Sequence, residues 1–392
     1  MQKQSFTSGP LALSRVGSAT NRTPRQINRN FIFNLIRRWQ PISRADLARH
    51  SGLQRSTVSL IIEDLVREGW LFEGATGSLP RGRRPVLIQL YDRRGVVALD
   101  VHPSRTTIAI TDLSGKIVAR KVIVPPKNPK RTLNAICTEI CMLIAKHKEK
   151  SFVGVGICLP GRTDPDSLSI FAPRLDWPVA KLKARVARAT RLPVEMDNVA
   201  NACALAEVWF GDSDANDGLV IVNVSEGISI GIFVNGRILR GCHGMAGEFG
   251  HVQLQAEDGI LCACGNRGCW ETLASNTAAL RYHRELAGKN AASSFELLIK
   301  AALNGQPTAV QAITRSAVQL GSGIRILLSG LAPREIVIVG ELAAAWSLLA
   351  PIVEKEITRD CLIKIPNLRC TSDGNDSRLR AAAALVLSEW SV

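Results

Sequence analysis

The stretch Gly244-Met245-Ala246-Gly247-Glu248-Phe249-Gly250-His251 is followed, ten residues on, by Cys262-Ala263-Cys264-Gly265-Asn266-Arg267-Gly268-Cys269-Trp270-Glu271. One imidazole and three thiols fall within this short, glycine-rich span. A neutral imidazole and thiolates are donors that suit zinc, and a closed structural site takes four of them in a tetrahedron. His251, Cys262, Cys264 and Cys269 supply that set. Gly265 and Gly268 let the backbone turn tightly enough to aim three sulfurs at one point. A Cys-x-Cys with a third Cys and a His nearby is a specific metal spacing. Structural zinc is therefore the expected cofactor.

The same residues carry a resemblance. A His, ten residues, then Cys-x-Cys-Gly-x-x-Gly-Cys-x-Glu resembles the zinc motif of the ROK family (repressor, open reading frame, kinase). In that family the zinc is structural. The resemblance also implies sugar contacts: the Glu and His of Gly-Glu-x-Gly-His, and the Glu after the last Cys, meet sugar hydroxyls. Those positions are Glu248, His251 and Glu271 here. The chemistry suits the role, since carboxylates accept hydroxyl hydrogen bonds and a His with one nitrogen on a metal donates from the other.

The chain has 392 residues, room for two or three domains with substantial cores. Its composition, 46% hydrophobic and 21% charged, excludes a disordered protein. Ten cysteines in a chain this long do not form a disulfide scaffold, and with three assigned to metal the rest suit a reducing cytoplasm. No signal peptide and no membrane span are visible. Net charge is +15 and uneven: residues 1–90 hold 14 Lys and Arg against 5 Asp and Glu. Such concentration is the footprint of a polyanion binder, though charge alone does not separate DNA, RNA and anionic membrane.

Residues 1–23, polar and rich in Ser, Thr and Gln, read as a mobile arm. Residues 24–90 read as a winged helix-turn-helix. A helix is expected from Pro24 to Trp39, with Ile27, Phe31, Leu35 and Ile36 as its apolar face. Ser43 is the expected N-cap of a short helix, Arg44 to His50. After the Ser51-Gly52-Leu53 turn comes a third helix, Gln54 to Glu68, burying Val58, Ile61, Ile62, Leu65 and Val66. The start of such a helix enters the major groove, which makes Gln54, Arg55, Ser56, Thr57 and Ser59 the candidate DNA contacts. A Ser or Thr would cap it better than Gln54. Two strands, Trp70–Phe72 and Pro85–Leu90, flank a loop with Arg81, Arg83 and Arg84. Arginines on a small loop suit a narrow minor groove, and Gly82-Arg83-Arg84-Pro85 is similar to the wing of ROK repressors.

Residues 91–392 are expected to form two α/β lobes. Strands at Val96–Val101, Thr106–Thr111 and Lys116–Val124, then a helix at Thr132–Lys148 and a strand at Phe152–Cys158, form one meander unit. A comparable unit follows at Leu219–Val224, Ile228–Val234 and Arg237–Leu239, with Asn235-Gly236 as the hairpin turn. Helices from Pro307 to Leu328 precede a strand at Ile336–Val339. The ROK resemblance, which spans nearly the whole chain after the arm, implies that these lobes form a duplicated actin-like, ribonuclease-H-like sugar-kinase fold around a cleft.

That resemblance raises the question of phosphotransfer. ROK kinases carry an Asp-x-Gly-Gly-Thr loop that approaches phosphate; this chain has Asp100-Val101-His102-Pro103-Ser104-Arg105. A Gly-Thr-Gly phosphate turn is Ser225-Glu226-Gly227, and a glycine-rich turn near adenine is Gly340-Glu341-Leu342. The catalytic base of Glu-Asn-Asp-Ala-Asn-Ala becomes Val199, with Asp197 displaced by two residues. A positioned base contributes about 10²–10⁴-fold in rate, and valine supplies none of it. Sugar positions fare better: Asn198, Glu248, His251 and Glu271 match, Leu159-Pro160-Gly161 resembles the turn that closes on sugar, and Arg174 replaces an expected Asn. The expected protein is a cytoplasmic, non-enzymatic, sugar-responsive repressor, a homodimer or homotetramer on a palindromic operator of double-stranded DNA. An active sugar kinase with a DNA-binding domain, and a DNA-binding dimer without a ligand, are the alternatives.

Overall fold

The computed structural model describes residues 22–76, 85–126, 128–164, 169–172, 175, 177, 179–211, 213, 218–359, 366–371 and 374–389. Residues 1–21 of the expected arm 1–23, the loop with Arg81, Arg83 and Arg84, and Arg174 lie outside the described residues, while Arg22 and Thr23 belong to the first helix rather than to the arm. The chain divides into two compact units between Gln89 and Leu90.

The N-terminal unit contains α1 (Arg22–Trp39), β1 (Ile42–Ser43), α2 (Arg44–Ser51), α3 (Arg55–Arg67), β2 (Leu71–Thr76) and β3 (Val86–Leu90). Its small sheet has the order β1-β3-β2, with Ile42 opposite Ile88. Strand β1 was not expected from the sequence. Ser43 caps α2 by accepting from the Asp46 N–H at 3.2 Å, and Gly52 ends it with φ 68°, a left-handed conformation that glycine adopts freely. Helix α3 buries Val58, Ile61, Ile62 and Leu65, while Val66 sits half-buried at the margin. Gln54 precedes it without a side-chain cap bond.

Helix α1 is rotated from its expected phase. Ile32, Phe33 and Ile36 are buried, whereas Ile27 and Phe31 are 60% and 43% exposed. Both sets have helical spacing; distant partners choose between them. Phe33 meets Trp70 edge-on at 5.8 Å, and Arg29, itself buried, pairs with Glu68. An aromatic contact of this kind contributes about 0.5–1.5 kcal/mol beyond area burial.

The C-terminal unit repeats one plan twice. The first lobe has β4 (Arg94–Val101), β5 (Thr106–Asp112), β6 (Ile117–Ile123), α4 (Pro129–Lys146), β7 (Ser151–Leu159), the short β8 (Arg162–Asp164) and β9 (Ser169–Phe171), α5 (Leu182–Thr190), β10 (Val194–Asn198) and α6 (Val199–Phe210). The second has β11 (Leu219–Val224), β12 (Ile228–Val234), β13 (Arg237–Ile238), a 3-10 segment (Cys242–His251), α7 (Trp270–Ala274), α8 (Asn276–Ala287), α9 (Phe295–Leu303), α10 (Pro307–Leu331), β14 (Glu335–Val339), α11 (Trp346–Thr358) and β15 (Asn367–Cys370). Helix α12 (Ser377–Glu389) closes the chain.

The two large sheets have orders β10-β7-β4-β5-β6 and β13-β12-β11-β14-β15. In each, an antiparallel meander supplies three strands and two parallel strands extend its first. Asn235 and Gly236, with φ of 52° and 75°, make the tight turn that the dipeptide predicts. Inner residues of both sheets, among them Ala98, Cys158, Ile221 and Val337, share one core with Ala200 and Cys203 of α6 and Leu379 and Ala382 of α12. Glycine permits the closest approaches there. A Cβ on Gly156 of β7 would lie 1.7 Å from the Ala382 carbonyl oxygen, and one on Gly231 of β12 would lie 2.1 Å from that of Ala200. Helices α4 and α5 cover the outer face of the first sheet, and α8, α10 and α11 that of the second. A cleft opens where the C-terminal ends of β4, β7 and β10 face β11 and β12.

Candidate functional site

The cleft, counted together with the open solvent at its mouth, spans about 830 Å³. The first lobe contributes Pro103, Gly161, Arg162, Phe171, Asn198 and Val199; the second contributes Asn223, Glu226, Ser229, Glu248, His251, Cys264 and Glu271. Arg378 from α12 completes the lining.

The metal donors come together here. His251 ends the 3-10 segment, and the loop 262–269 folds back on it through Cys262 N–H to Asn266 O (2.7 Å) and Gly265 N–H to Cys262 O (3.0 Å). Gly268, at φ 63°, tolerates no side chain: a Cβ there would sit 1.7 Å from Gln255 O. The donor atoms of His251, Cys262, Cys264 and Cys269 all lie within 4.8 Å of one another. Cys264 Sγ is 3.6 Å from Cys269 Sγ, and Cys262 Sγ is 3.5 Å from His251 Nδ1. Zinc–sulfur bonds of about 2.3 Å place tetrahedral sulfurs about 3.8 Å apart, so the set fits one ion. Burial pushes the Cys262 thiol up, and pushes that of Cys269 up to about 11. A cation bound between them reverses that pressure, since it stabilises thiolates directly.

Beside this cluster stand the expected sugar residues. Glu248 Oε2 is 3.7 Å from His251 Nε2. Glu271, buried, accepts from Cys262 Sγ at 3.1 Å and has Oε1 3.9 Å from His251 Nδ1. Thus the imidazole turns Nδ1 to the thiols and Nε2 to Glu248. Asn198 has a different emphasis. Its Oδ1 caps α6 by accepting from Ala200 N–H at 2.7 Å, and its Nδ2 donates to Gly161 O at 2.5 Å. It pins the turn at 159–161 to the helix, and one N–H and one lone pair remain for a ligand.

Asp197 does not replace the base. It is buried and accepts from Thr163 Oγ1 (2.6 Å), Asn198 N–H (2.6 Å), Asn201 Nδ2 (3.3 Å) and the Arg240 guanidinium. Those bonds engage its carboxylate fully. Val199 faces the cleft and is 1% exposed.

The three altered loops converge on one another. His102, fully buried, places Nδ1 3.1 Å from Glu226 Oε1, and its Nε2 meets the Arg378 guanidinium. Arg378 Nε is 3.4 Å from Asp100 Oδ1, and its Nη1 is 3.8 Å from Glu341 Oε1. Arg105 reaches Glu341 at 3.4 Å, and Asn276 donates to the other Glu341 oxygen at 2.9 Å. Burial penalises the Arg378 charge, yet Asp100 and Glu341 hold its pKa above the ordinary value. For Glu226, burial opposes ionisation, but hydrogen bonding to His102 and Ser225 holds its carboxyl well below the usual carboxylate range. A polyphosphate at these loops would meet the carboxylates of Glu226 and Glu341. Sequence reasoning missed Arg378, Arg162 and Phe171. Arg378 has no local signal, being 276 residues from His102.

The candidate DNA residues lie in the N-terminal unit. Gln54, Arg55 and Ser56 are exposed at the start of α3, with Thr57 and Ser59 half-buried. Among the described residues, no helix is long and apolar enough to cross a membrane.

Two lobes of one plan, a cleft between them and a His–Cys cluster on its wall define a sugar-kinase-like architecture. The ROK family model matches residues 96–389, and the chain belongs to the ROK family. It is 30% identical over 338 residues to the xylose repressor of Bacillus subtilis, covering 85% of this chain and 87% of that protein. It is 31% identical over 351 residues to the DNA-binding transcriptional dual regulator NagC of Escherichia coli, covering 86% of each. A solved ROK family transcriptional regulator, a homologue of the E. coli MLC protein, superposes with a TM-score of 0.76 at 28% identity, over 94% of this chain and 97% of that one. A ROK glucokinase from Streptomyces griseus, solved with glucose and AMPPNP, gives 0.67 at 27% identity, over 74% and 98% respectively. The kinase match therefore covers less of this chain than the regulator match does.

Proposed function

We infer that this protein is a sugar-responsive transcriptional regulator, acting as a repressor, in which the kinase-like lobes sense a ligand without transferring phosphate. The observation that carries this is the contrast inside the cleft. Charges from the three loops that would approach a nucleotide are paired with one another, while the carboxylates of Glu248 and Glu271 line the cleft beside the His–Cys donor cluster. Similarity to repressors over most of the chain supports the same reading.

In this reading residues 24–90 are a winged helix-turn-helix. Gln54, Arg55, Ser56, Thr57 and Ser59 contact base edges and backbone in the major groove, and Arg81, Arg83 and Arg84 enter the minor groove. The protein works in the cytoplasm as a homodimer or homotetramer, and two copies read the halves of a palindromic operator about one helical turn apart. Zinc fills the His251–Cys262–Cys264–Cys269 cluster and braces Glu248 and Glu271. Sugar bound to Glu248, His251, Glu271 and Asn198 closes the lobes and alters operator affinity. A coupling of about 1–3 kcal/mol gives a response of about 5–150-fold.

Genomic footprinting, followed by purified full-length protein on the recovered site with a sugar panel, tests this. The expected result is a palindromic footprint whose occupancy one sugar shifts, with no ADP release in a coupled assay. Turnover of ATP with any sugar would favour an active kinase instead. A palindromic footprint indifferent to every sugar would favour a DNA-binding dimer without a ligand.

A further inference from the structure

The charge of the cleft narrows the kind of sugar it accepts. Three carboxylates, Glu226, Glu248 and Glu271, line it. Of the two guanidiniums in the lining, Arg378 is already matched by Asp100 and Glu341. Arg162 is the other; it lies over the Phe171 ring, 5.5 Å from its centroid, and no carboxylate partners it among the described residues. The His–Cys cluster adds no positive field, because a dication held by three thiolates is net negative. Carboxylates outnumber the unmatched cations in the lining.

Glu226 is the residue that decides. Its neighbours in the cleft wall are Ser225, whose hydroxyl donates to it, and His102, 3.1 Å away. Both fix the carboxylate where it borders the cavity, and neither leaves a donor turned to an anion. We propose that the sensed ligand is an uncharged, unphosphorylated sugar, and that Glu226 makes the cleft reject phosphate esters. The proposal rests on the sugar-sensing reading. Hydroxyls donate to Glu248 and Glu271, whereas a phosphate reaching toward Glu226 brings like charge against a fixed carboxylate in a partly desolvated cleft. Juxtaposed like charges suppress a wrong ligand more strongly than matched charges favour a right one.

The test uses zinc-loaded full-length protein and isothermal calorimetry, backed by thermal shift. The probes are D-xylose, D-glucose, N-acetyl-D-glucosamine, glucose 6-phosphate and N-acetylglucosamine 6-phosphate. A free sugar is expected to bind, with its own phosphate ester weaker by on the order of 100-fold. Glu226→Gln keeps the shape and should narrow that gap by roughly 10-fold; Glu226→Ala serves if the first variant folds poorly. An ester that binds the unmodified protein as tightly as its free sugar overturns the proposal. An unchanged gap in both folded variants overturns the role of Glu226. Binding of no probe in either form counts instead against the sugar-sensing reading itself.

Discussion

On one side of the cleft, Glu248 and Glu271 line the cavity beside His251, and that side is held in shape by a cluster of metal donors. On the other, Asp100, His102, Glu226, Glu341 and Arg378 direct their charges at each other. The first wall carries a donor set that suits a cation; the second supplies its own counter-ions. Similar residue types thus serve opposite ends. A carboxylate that lines the cleft can accept from a ligand, and a carboxylate opposite a buried guanidinium is a tie between lobes.

Breaking the first wall should have the largest effect. Cys269→Ser removes a fully buried donor. Metal per chain should fall toward zero, and unfolding free energy should drop by roughly 5 kcal/mol, since structural zinc binds with about 10–16 kcal/mol in small domains. Metal analysis and urea unfolding read both; unchanged metal content would show that the four donors do not act as one site. Breaking the second wall comes next. Arg378→Met leaves Asp100 and Glu341 facing each other without their buried cation, and should cost about 3–5 kcal/mol in the same unfolding experiment. A loss under about 1 kcal/mol would mean that the charges are independently solvated.

A smaller effect sharpens the comparison through pH. Because the Glu226 pKa is depressed in the folded protein, its contribution is present above the ordinary carboxylate value and is lost as pH falls through the lower folded value. Glu226→Gln should therefore destabilise by up to about 1 kcal/mol at neutral pH, and the difference from the parent protein should shrink in acid. A difference that grows in acid would reverse the assigned sign. The smallest expected effect is on chemistry. Val199→Asp restores a carboxylate where the base stands in kinases, yet coupled assays should detect no ADP release, because the paired loops remain.

The donor cluster was legible because its members lie within one stretch, from His251 to Cys269, so spacing alone carries the geometry. Both meanders were legible for the same reason, their turns being local. The phase of α1 was not: its two candidate stripes are equally helical, and Trp70 and Glu68 make the choice. Asn198 matched a sugar position, but its capping of α6 was not read from the sequence and comes from the structure. Helix α12 escaped notice because it is buried on nearly every side and so has no amphipathic period to read. Arg378 sits on that helix, and with it went the clearest sign of how the altered loops are satisfied.

The glycine contacts of the inner layer carry one more consequence. At Gly156 and Gly231 a strand meets a helix backbone to backbone. The helices in question, α6 and α12, pack together and place Ala200, Ala202, Ala204, Ala381 and Ala382 in the shared core, beside Val199, Cys203, Leu379 and Leu385. Methyl groups have no rotamers to unlock and form only shallow ridges. Neither glycine can give way to a side chain without parting its strand from its helix, so at these two points the spacing of the inner layer is set by backbone contact rather than by side-chain fit.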